Sequence, residues 1–503
     1  MLTFLAVFTL LLFVAVVGCV VRPLRIPIPA RLRCCALVPK SVVLGFALAP
    51  VVAVLLLLIT TALPPDQFLR GLLGDVLEPW QIVVLFFSLS VISVSLDVTG
   101  VLAFIALHVV RRCSSPRRLF LAFFALSSVL TVVTSNDIVV LTLTPIVIHS
   151  CAQAKIDPRP VLFAEFFAAN VWSSLLWNGN PTNVIVAVAN RIDFLEFSRY
   201  SGLPTVGAGI MLTVAMLLLF WRRLSAEMDL APDVDAASAL KSRVSAVIGS
   251  LLLLSCLVAL AVGSFVNSPL WLLTFPFALL TVAKDVVVDL TGGAAAQLAV
   301  IDAADSTGFV TAESDAEGDG VPAAPSAGRW RRAVRSFQVR LPTLFLVLSR
   351  QPWALIPFLF SMFVLSEALS FHGWTTMLAS LLASAIGASV AAASFVVGLV
   401  SLLVVNLLNN QPATIFLTRV LDDGAFRNAT SADAHKASLF ALALASNYGA
   451  NLTLIGALAG LMWRQILVDK GLKPVSYVEF LRVGAVVTVP MAVVAFGLLA
   501  AVV

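Results

Sequence analysis

Apolar residues in this chain do not alternate with polar ones. They run on, in stretches such as "VVLGFALAPVVAVLLLLITTAL" from Val42 and "GAGIMLTVAMLLLFW" ending at Trp221. Continuous runs near the roughly 20 residues needed to cross hydrocarbon predict spanning helices. A closed barrel is excluded, because its strands would alternate lipid-facing and lumen-facing residues. The runs fall near 2–21, 42–63, 80–97, 98–110, 119–133, 160–176, 203–221, 246–262 and 268–283, then near 352–371, 375–405, 436–446, 455–468 and 480–503. With some of them crossing halfway, the pattern predicts an all-α polytopic membrane protein of about 10–12 spans. It divides into a first helix and basic loop (1–40), a first membrane half (41–284), a linker (285–345) and a second half (346–503). The linker, acidic, then Pro/Ala/Gly-rich, then basic around "DAEGDGVPAAPSAGRWRR", cannot bury enough apolar surface to fold alone and is expected to be a disordered cytoplasmic tether.

Polar islands interrupt the apolar text. The first half holds "TSNDIVV" and then "NGNPTN"; the second holds "NNQPAT" and then "SNYGANLT". Asn136 and Asn180 are 44 positions apart, Asn410 and Asn451 41, a near-match expected of internally duplicated carriers. Gly and Pro stop a helix inside the membrane, and the freed carbonyls and helix N-termini face whatever cavity lies there. Amide and hydroxyl oxygens satisfy a sodium ion; amide NH groups and positive helix ends satisfy an oxyanion or a hydroxylated solute. A single island would serve as helix-to-helix glue. Four, paired by order and spacing, predict one central site.

Composition agrees and adds sidedness. Of 503 residues 60% are hydrophobic and 12% charged, far from a soluble domain. The net charge of +5 is not a nucleic-acid footprint, since the basic residues sit between apolar runs: Arg22, Arg25, Arg31, Arg33 and Lys40; Arg111, Arg112, Arg117 and Arg118; Arg222 and Arg223. Those loops read as cytoplasmic, and the connection with Asp66, Asp75 and Glu78 as the opposite side. Cys34 and Cys35 adjoin on a basic loop where palmitoylation is conceivable, although free thiols in a reducing compartment are the simpler expectation. The N-terminal run lacks a positive start and is expected to remain as a helix. His108, His149 and His372 lie at span ends without zinc-ligand spacing. Asn428-Ala429-Thr430 is a glycosylation sequon only if its loop faces a secretory lumen.

Together "SNDIVVLTLTPIV", "AEFFAANVWSSLLWNGNPTNVIVA", "NNQPATIF" and "SNYGANLTLIGALAGLMW" resemble the ion transporter superfamily, in its arsenite/antimonite permease and citrate-transporter-like branch. The resemblance implies an inverted-repeat fold with two re-entrant hairpins and two broken helices, a homodimer, and elevator-type alternating access. It would place Ser135, Asn136 and Asp137 at one hairpin tip and Asn409, Asn410, Pro412 and Thr414 at the other. Asn178, Gly179, Asn180, Pro181 and Thr182 would form one unwound helix; Asn447, Gly449, Asn451 and Thr453 the second. Dicarboxylate members carry Ser-Asn-Thr at the tips, whereas this chain has Ser-Asn-Asp, which points away from a dicarboxylate substrate.

Four carboxylates fall in or beside apolar spans: Asp97, Asp137, Glu165 and Glu367. Each costs about 2.5–3.5 kcal/mol at the bilayer centre on insertion scales, so each needs a partner or a function. Asp137, beside Asn136, is the first candidate for cation or proton coupling; Glu165 and Glu367 follow, and Asp97 reads as structural. The expected activity is secondary transport of a small inorganic solute or anion, of the arsenite/antimonite type, coupled to protons or sodium and needing no cofactor. Sodium/proton antiport, carboxylate or sulfate symport, and an ion channel are the alternatives. No GxSxG, HExxH or P-loop signature points to an enzyme or to an ATPase within this chain.

Overall fold

The computed structural model describes residues 4–27, 41–74, 78–225, 239–263, 265, 268–291 and 336–503. Expectations for Arg31, Arg33, Cys34, Cys35, Lys40 and Asp75, and for linker residues 292–335, lie outside the described residues. Elsewhere the apolar runs are helices, the one open-ended element that satisfies every backbone group without water. Among the described residues seven helices are long and apolar enough to span: Pro79–Val98, Pro116–Val133, Phe194–Phe220, Arg243–Gly263, Leu270–Thr291, Val390–Leu408 and Tyr477–Val502. An eighth span results if Leu355–Phe371 and Trp374–Ile386, bent by 74°, are taken together. The chain is a multi-pass integral membrane protein, and side chains such as Leu218, 80% exposed, and Leu254, 59% exposed, face lipid.

Four expectations are corrected. The 10–12 long spans are not reached among the described residues, because polar islands cut several runs into shorter helices: Arg159–Trp172 has 14 residues, about 21 Å at 1.5 Å per residue. The run near 42–63 starts as a strand, Ser41–Leu44, antiparallel to Leu24–Pro27, so the chain is not purely α; its helix is only Leu48–Ile59. The run near 375–405 splits at Gly387, whose φ of +56° a side chain would resist. Both described ends of the expected linker are ordered. Leu270–Thr291 carries buried Asp285 and Asp289, and Asp289 accepts from the backbone N–H groups of Thr343 and Leu344, capping Pro342–Ser349.

A single succession of elements occurs twice. Pro79–Val98 is followed by Val101–Val110, Pro116–Val133, Asn136–Gln153, Arg159–Trp172, Pro181–Ala189 and Phe194–Phe220. Leu355–Phe371 is followed by Trp374–Ile386, Val390–Leu408, Asn410–Asp422, Ala432–Tyr448, Leu458–Asp469 and Tyr477–Val502, with one extra turn of helix, Gly424–Arg427, that the first set lacks. The first two helices of each set are separated by a left-handed glycine, Gly100 (φ +82°) or Gly373 (φ +79°).

Packing divides the chain into two compact units. One comprises Met1–Val83, Cys113–Ala231 and Pro352–Val503; the other comprises Val84–Arg112 and Pro232–Gln351. The first unit draws helices from both expected halves and interleaves them. Asn136–Gln153 packs on Leu458–Asp469, Asn410–Asp422 packs on Pro181–Ala189, and Phe194–Phe220 lies along Tyr477–Val502. Its interior is aromatic around Phe163, Phe166, Phe167, Trp463 and Phe480. In the second unit Lys284 is buried against Asp285 at 2.8 Å and donates to Ser95 at 2.9 Å and Ser245 at 3.3 Å, pinning three helices through one ammonium group.

Candidate functional site

Each island is a helix break, and each break places a helix N-terminus at the polar centre of the first unit. Ser135, extended at φ −160°, starts Asn136–Gln153. Asn180 caps Pro181–Ala189 by accepting from the Thr182 N–H at 3.1 Å, with Pro181 at the first helical position, where its missing N–H costs nothing. Asn409 starts Asn410–Asp422 at φ +71° and ψ 154°, a positive-φ extended conformation that costs a non-glycine residue about 1–3 kcal/mol and that the surrounding hydrogen bonds must hold. Pro412 sits in the first turn of that helix, buried. The fourth break, around Gly449–Asn451, leads to Leu458–Asp469. Gly179 must be glycine, since a Cβ there would run into the Ser173 carbonyl; one at Gly449 would press on Val405.

Within each half, the two breaks are laced together by asparagine. Asn178 donates to the Thr134 carbonyl at 3.2 Å; Asn409 donates to the Ile455 carbonyl at 3.0 Å, and the Asn410 N–H to the Gly456 carbonyl at 2.9 Å. Across the halves, a chain of amides runs from Asn136 to Asn170 (3.0 Å) and from Asn170 to Asn451 (3.0 Å). A second knot centres on Asn447. Its Oδ1 accepts from Ser173 (2.7 Å) and Asn180 (3.0 Å), and its Nδ2 donates to Asn183 (2.6 Å) and to the Ala443 carbonyl (2.8 Å). Thr414 joins through Ser446 at 2.7 Å, and Thr453 donates to Asn406 at 2.6 Å.

The structure therefore brings the islands together through side chains that are mostly buried; Ser135, Asn406 and Thr453 are half-buried. Sequence reasoning missed Asn170, Ser173, Asn183 and Ser446. Asn183 ends the very hexapeptide that was singled out. Asn170 carries no neighbouring Gly or Pro; its only signal is that it is a lone amide in the apolar run "FFAANVW".

Chemically the centre offers neutral dipoles. Every polar group named in it is an amide, a hydroxyl or a backbone group, so a solute is met by hydrogen-bond donors and acceptors and by positive helix ends. Five buried oxygens, Asn178 Oδ1, Thr182 Oγ1, Asn409 Oδ1, Asn410 Oδ1 and Gln411 Oε1, have no partner among the described residues. Each such group left unmet costs about 1–3 kcal/mol.

The carboxylates separate by their partners. Asp97 is ion-paired to Arg350 at 3.0 Å, in keeping with a structural role, and Glu367 is ion-paired to Arg419. Glu165, fully buried, accepts from Thr144 at 3.2 Å. Asp137 is half-buried at the start of its helix, and its carboxylate has no hydrogen-bond or ion-pair partner among the described residues.

Comparison with known proteins agrees with this architecture. The family profile described as "Citrate transporter" (CitMHS) matches residues 40–434. An "Arsenical pump membrane protein" of Yersinia enterocolitica is 27% identical over 436 residues, covering 85% of this chain and 88% of that protein. A protein of the same description from Escherichia coli K12 is 25% identical over 471 residues, 92% of this chain and 94% of the relative. An uncharacterized transporter of Mycobacterium tuberculosis is 25% identical over 415 residues, 81% and 83% of the two chains.

Proposed function

The chain belongs to the citrate transporter family, a family of membrane transporters, and from that premise we propose that it is a secondary active carrier of a small, weakly charged or neutral inorganic hydroxy solute of the arsenite/antimonite type. The observation that carries this reading is the amide-and-hydroxyl centre at four helix breaks, with buried oxygens still lacking partners. Arsenous acid is uncharged and trihydroxylated at neutral pH, so it both donates and accepts hydrogen bonds and needs no basic side chain. A tricarboxylate would bring several full charges into a site that opposes them only with helix ends and amide dipoles. The similarity to arsenical pump membrane proteins over more than four-fifths of the chain supports the same substrate class.

Coupling is assigned to protons or sodium through Asp137 and Glu165, two carboxylates of the first unit that have no basic ion-pair partner among the described residues. Glu367, paired with Arg419, is the weaker candidate. The duplicated helix order and the reciprocal packing between sets support an inverted repeat, in which Pro116–Val133 with Asn136–Gln153, and Val390–Leu408 with Asn410–Asp422, form re-entrant hairpins. Such a repeat would move its solute by elevator-type alternating access, in a homodimer.

Flux into proteoliposomes tests this reading. Arsenite, antimonite, citrate and sulfate are offered under an imposed proton or sodium gradient. Gradient-driven movement of arsenite or antimonite is the expected result. Transport of citrate or sulfate alone would reject the substrate assignment, and conductance without coupling would make the protein a channel.

A further inference from the structure

The second unit carries a groove of its own. It has a volume of about 510 Å³, within the roughly 300–1,000 Å³ of small-molecule sites. One wall is Val101 and Phe104 of Val101–Val110; the other is Val247, Leu251 and Leu254 of Arg243–Gly263, with Arg243 as the only charged lining residue. Val101–Val110 has 10 residues, about 15 Å of helix, half of what crossing needs. The groove thus lies between a helix too short to span and the N-terminal half of one that does span.

Its polar end is basic. Arg243 is exposed and has no acidic partner among the described residues. Lys241, also exposed, is held there by its own N–H, which donates to the Thr99 carbonyl at 3.0 Å. Asp97, ion-paired to Arg350, also lies within electrostatic reach of Lys241, so Arg243 is the cation of this cluster that has no acidic partner among the described residues. The first N–H groups of Arg243–Gly263 add the positive end of a helix of 21 residues. By the distribution of basic residues this is the cytoplasmic end. A trough with mostly apolar walls and a cation among its lining residues matches a molecule with a hydrocarbon tail and an anionic head.

We propose that this groove is a binding site for an anionic phospholipid of the cytoplasmic leaflet, its phosphate on Arg243 and Lys241 and an acyl chain between Phe104 and Leu251. Charge complementarity selects the occupant: a neutral lipid would fill the trough but leave Arg243 bare, and a free phosphate would leave the apolar walls uncovered. Basic pockets between membrane helices on this side recognise acidic headgroups by the same physics.

Native mass spectrometry of the purified full-length protein tests the site, after exposure to equal amounts of phosphatidylglycerol and phosphatidylcholine. The wild type is expected to retain phosphatidylglycerol preferentially. Arg243→Gln should lower that preference about fivefold, as expected for about 1 kcal/mol per surface charge, and Lys241→Gln should lower it further. Arg243→Lys should restore most of it, which a purely structural role for the guanidinium would not do. Ser250→Phe, which fills the groove from an exposed position, should reduce retention of both lipids, and Arg427→Gln in the other unit should change nothing. Equal retention of the two lipids by the wild type, or an unchanged ratio in Arg243→Gln, would overturn the proposal. So would a Ser250→Phe protein that keeps its lipid but loses self-association, since the groove would then be an interface between copies.

Discussion

Asn447→Ala is the sharpest perturbation of the amide centre. That side chain makes four hydrogen bonds, three of them to residues of the other half: Ser173, Asn180 and Asn183. Hydrogen bonds between membrane helices are worth about 0.6 kcal/mol on average and at most about 1.7, so removing the three that cross to the other half costs about 2–5 kcal/mol. Most of that is borne by Asn180 Nδ2 and Asn183 Oδ1, which lose Asn447 as their partner in a buried interior. Asn180 also caps Pro181–Ala189, so its freedom disorders the helix end that would face a solute. Gradient-driven arsenite flux should fall at least about tenfold, the equivalent of about 1.4 kcal/mol, while the purified protein still elutes as a folded species with a lowered melting temperature. Asn447→Asp separates the two roles of the amide: it keeps the acceptor for Ser173 and Asn180 but removes the donor to Asn183, and should give an intermediate flux. Wild-type flux and melting in Asn447→Ala would refute the inference that these contacts align the two halves of the site.

Three further outcomes follow from the same contacts. Asn180→Ala and Asn410→Ala should each abolish flux with membrane insertion intact, and wild-type rates in both would remove the helix breaks from the binding site. Asp137→Asn should stop or uncouple transport; a variant whose flux keeps the wild-type response to external pH would exclude this carboxylate from coupling. Lys284→Met strands Asp285 in the interior and should destabilise the protein by about 3–5 kcal/mol, with Lys284→Met/Asp285→Asn recovering most of it, as read by thermal unfolding; equal melting of the single and double variants would show that the pair is not coupled.

The helices were largely legible because lipid leaves the backbone few options, so apolar runs and helices nearly coincide. The strand at Ser41–Leu44 was hidden, since β-branched residues continue into the apolar run that follows them. The site was legible where Gly or Pro accompanied the amides, because those residues must break a helix wherever they stand. Asn170 and Ser173 were not, for they sit on or beside an intact helix and become meaningful only when Asn451 and Asn447, more than 270 positions away, are folded against them. The reciprocal packing of the two helix sets was equally unreadable, as local pattern carries no information about which partner a buried face meets.

That reciprocity bears on how the protein is made. Asn170 donates to a residue 281 positions later, and at about 5–20 residues per second its partner is synthesised roughly 15–60 s afterwards. Through that interval the first half is in the membrane with its amides unmatched, and it must be sheltered by the insertion machinery or by provisional contacts within itself. A ribosomal pause or a truncation after residue 291 would therefore leave more than an inactive half-carrier: it would leave a polar seam exposed to lipid, the kind of lesion by which membrane quality control selects chains for destruction.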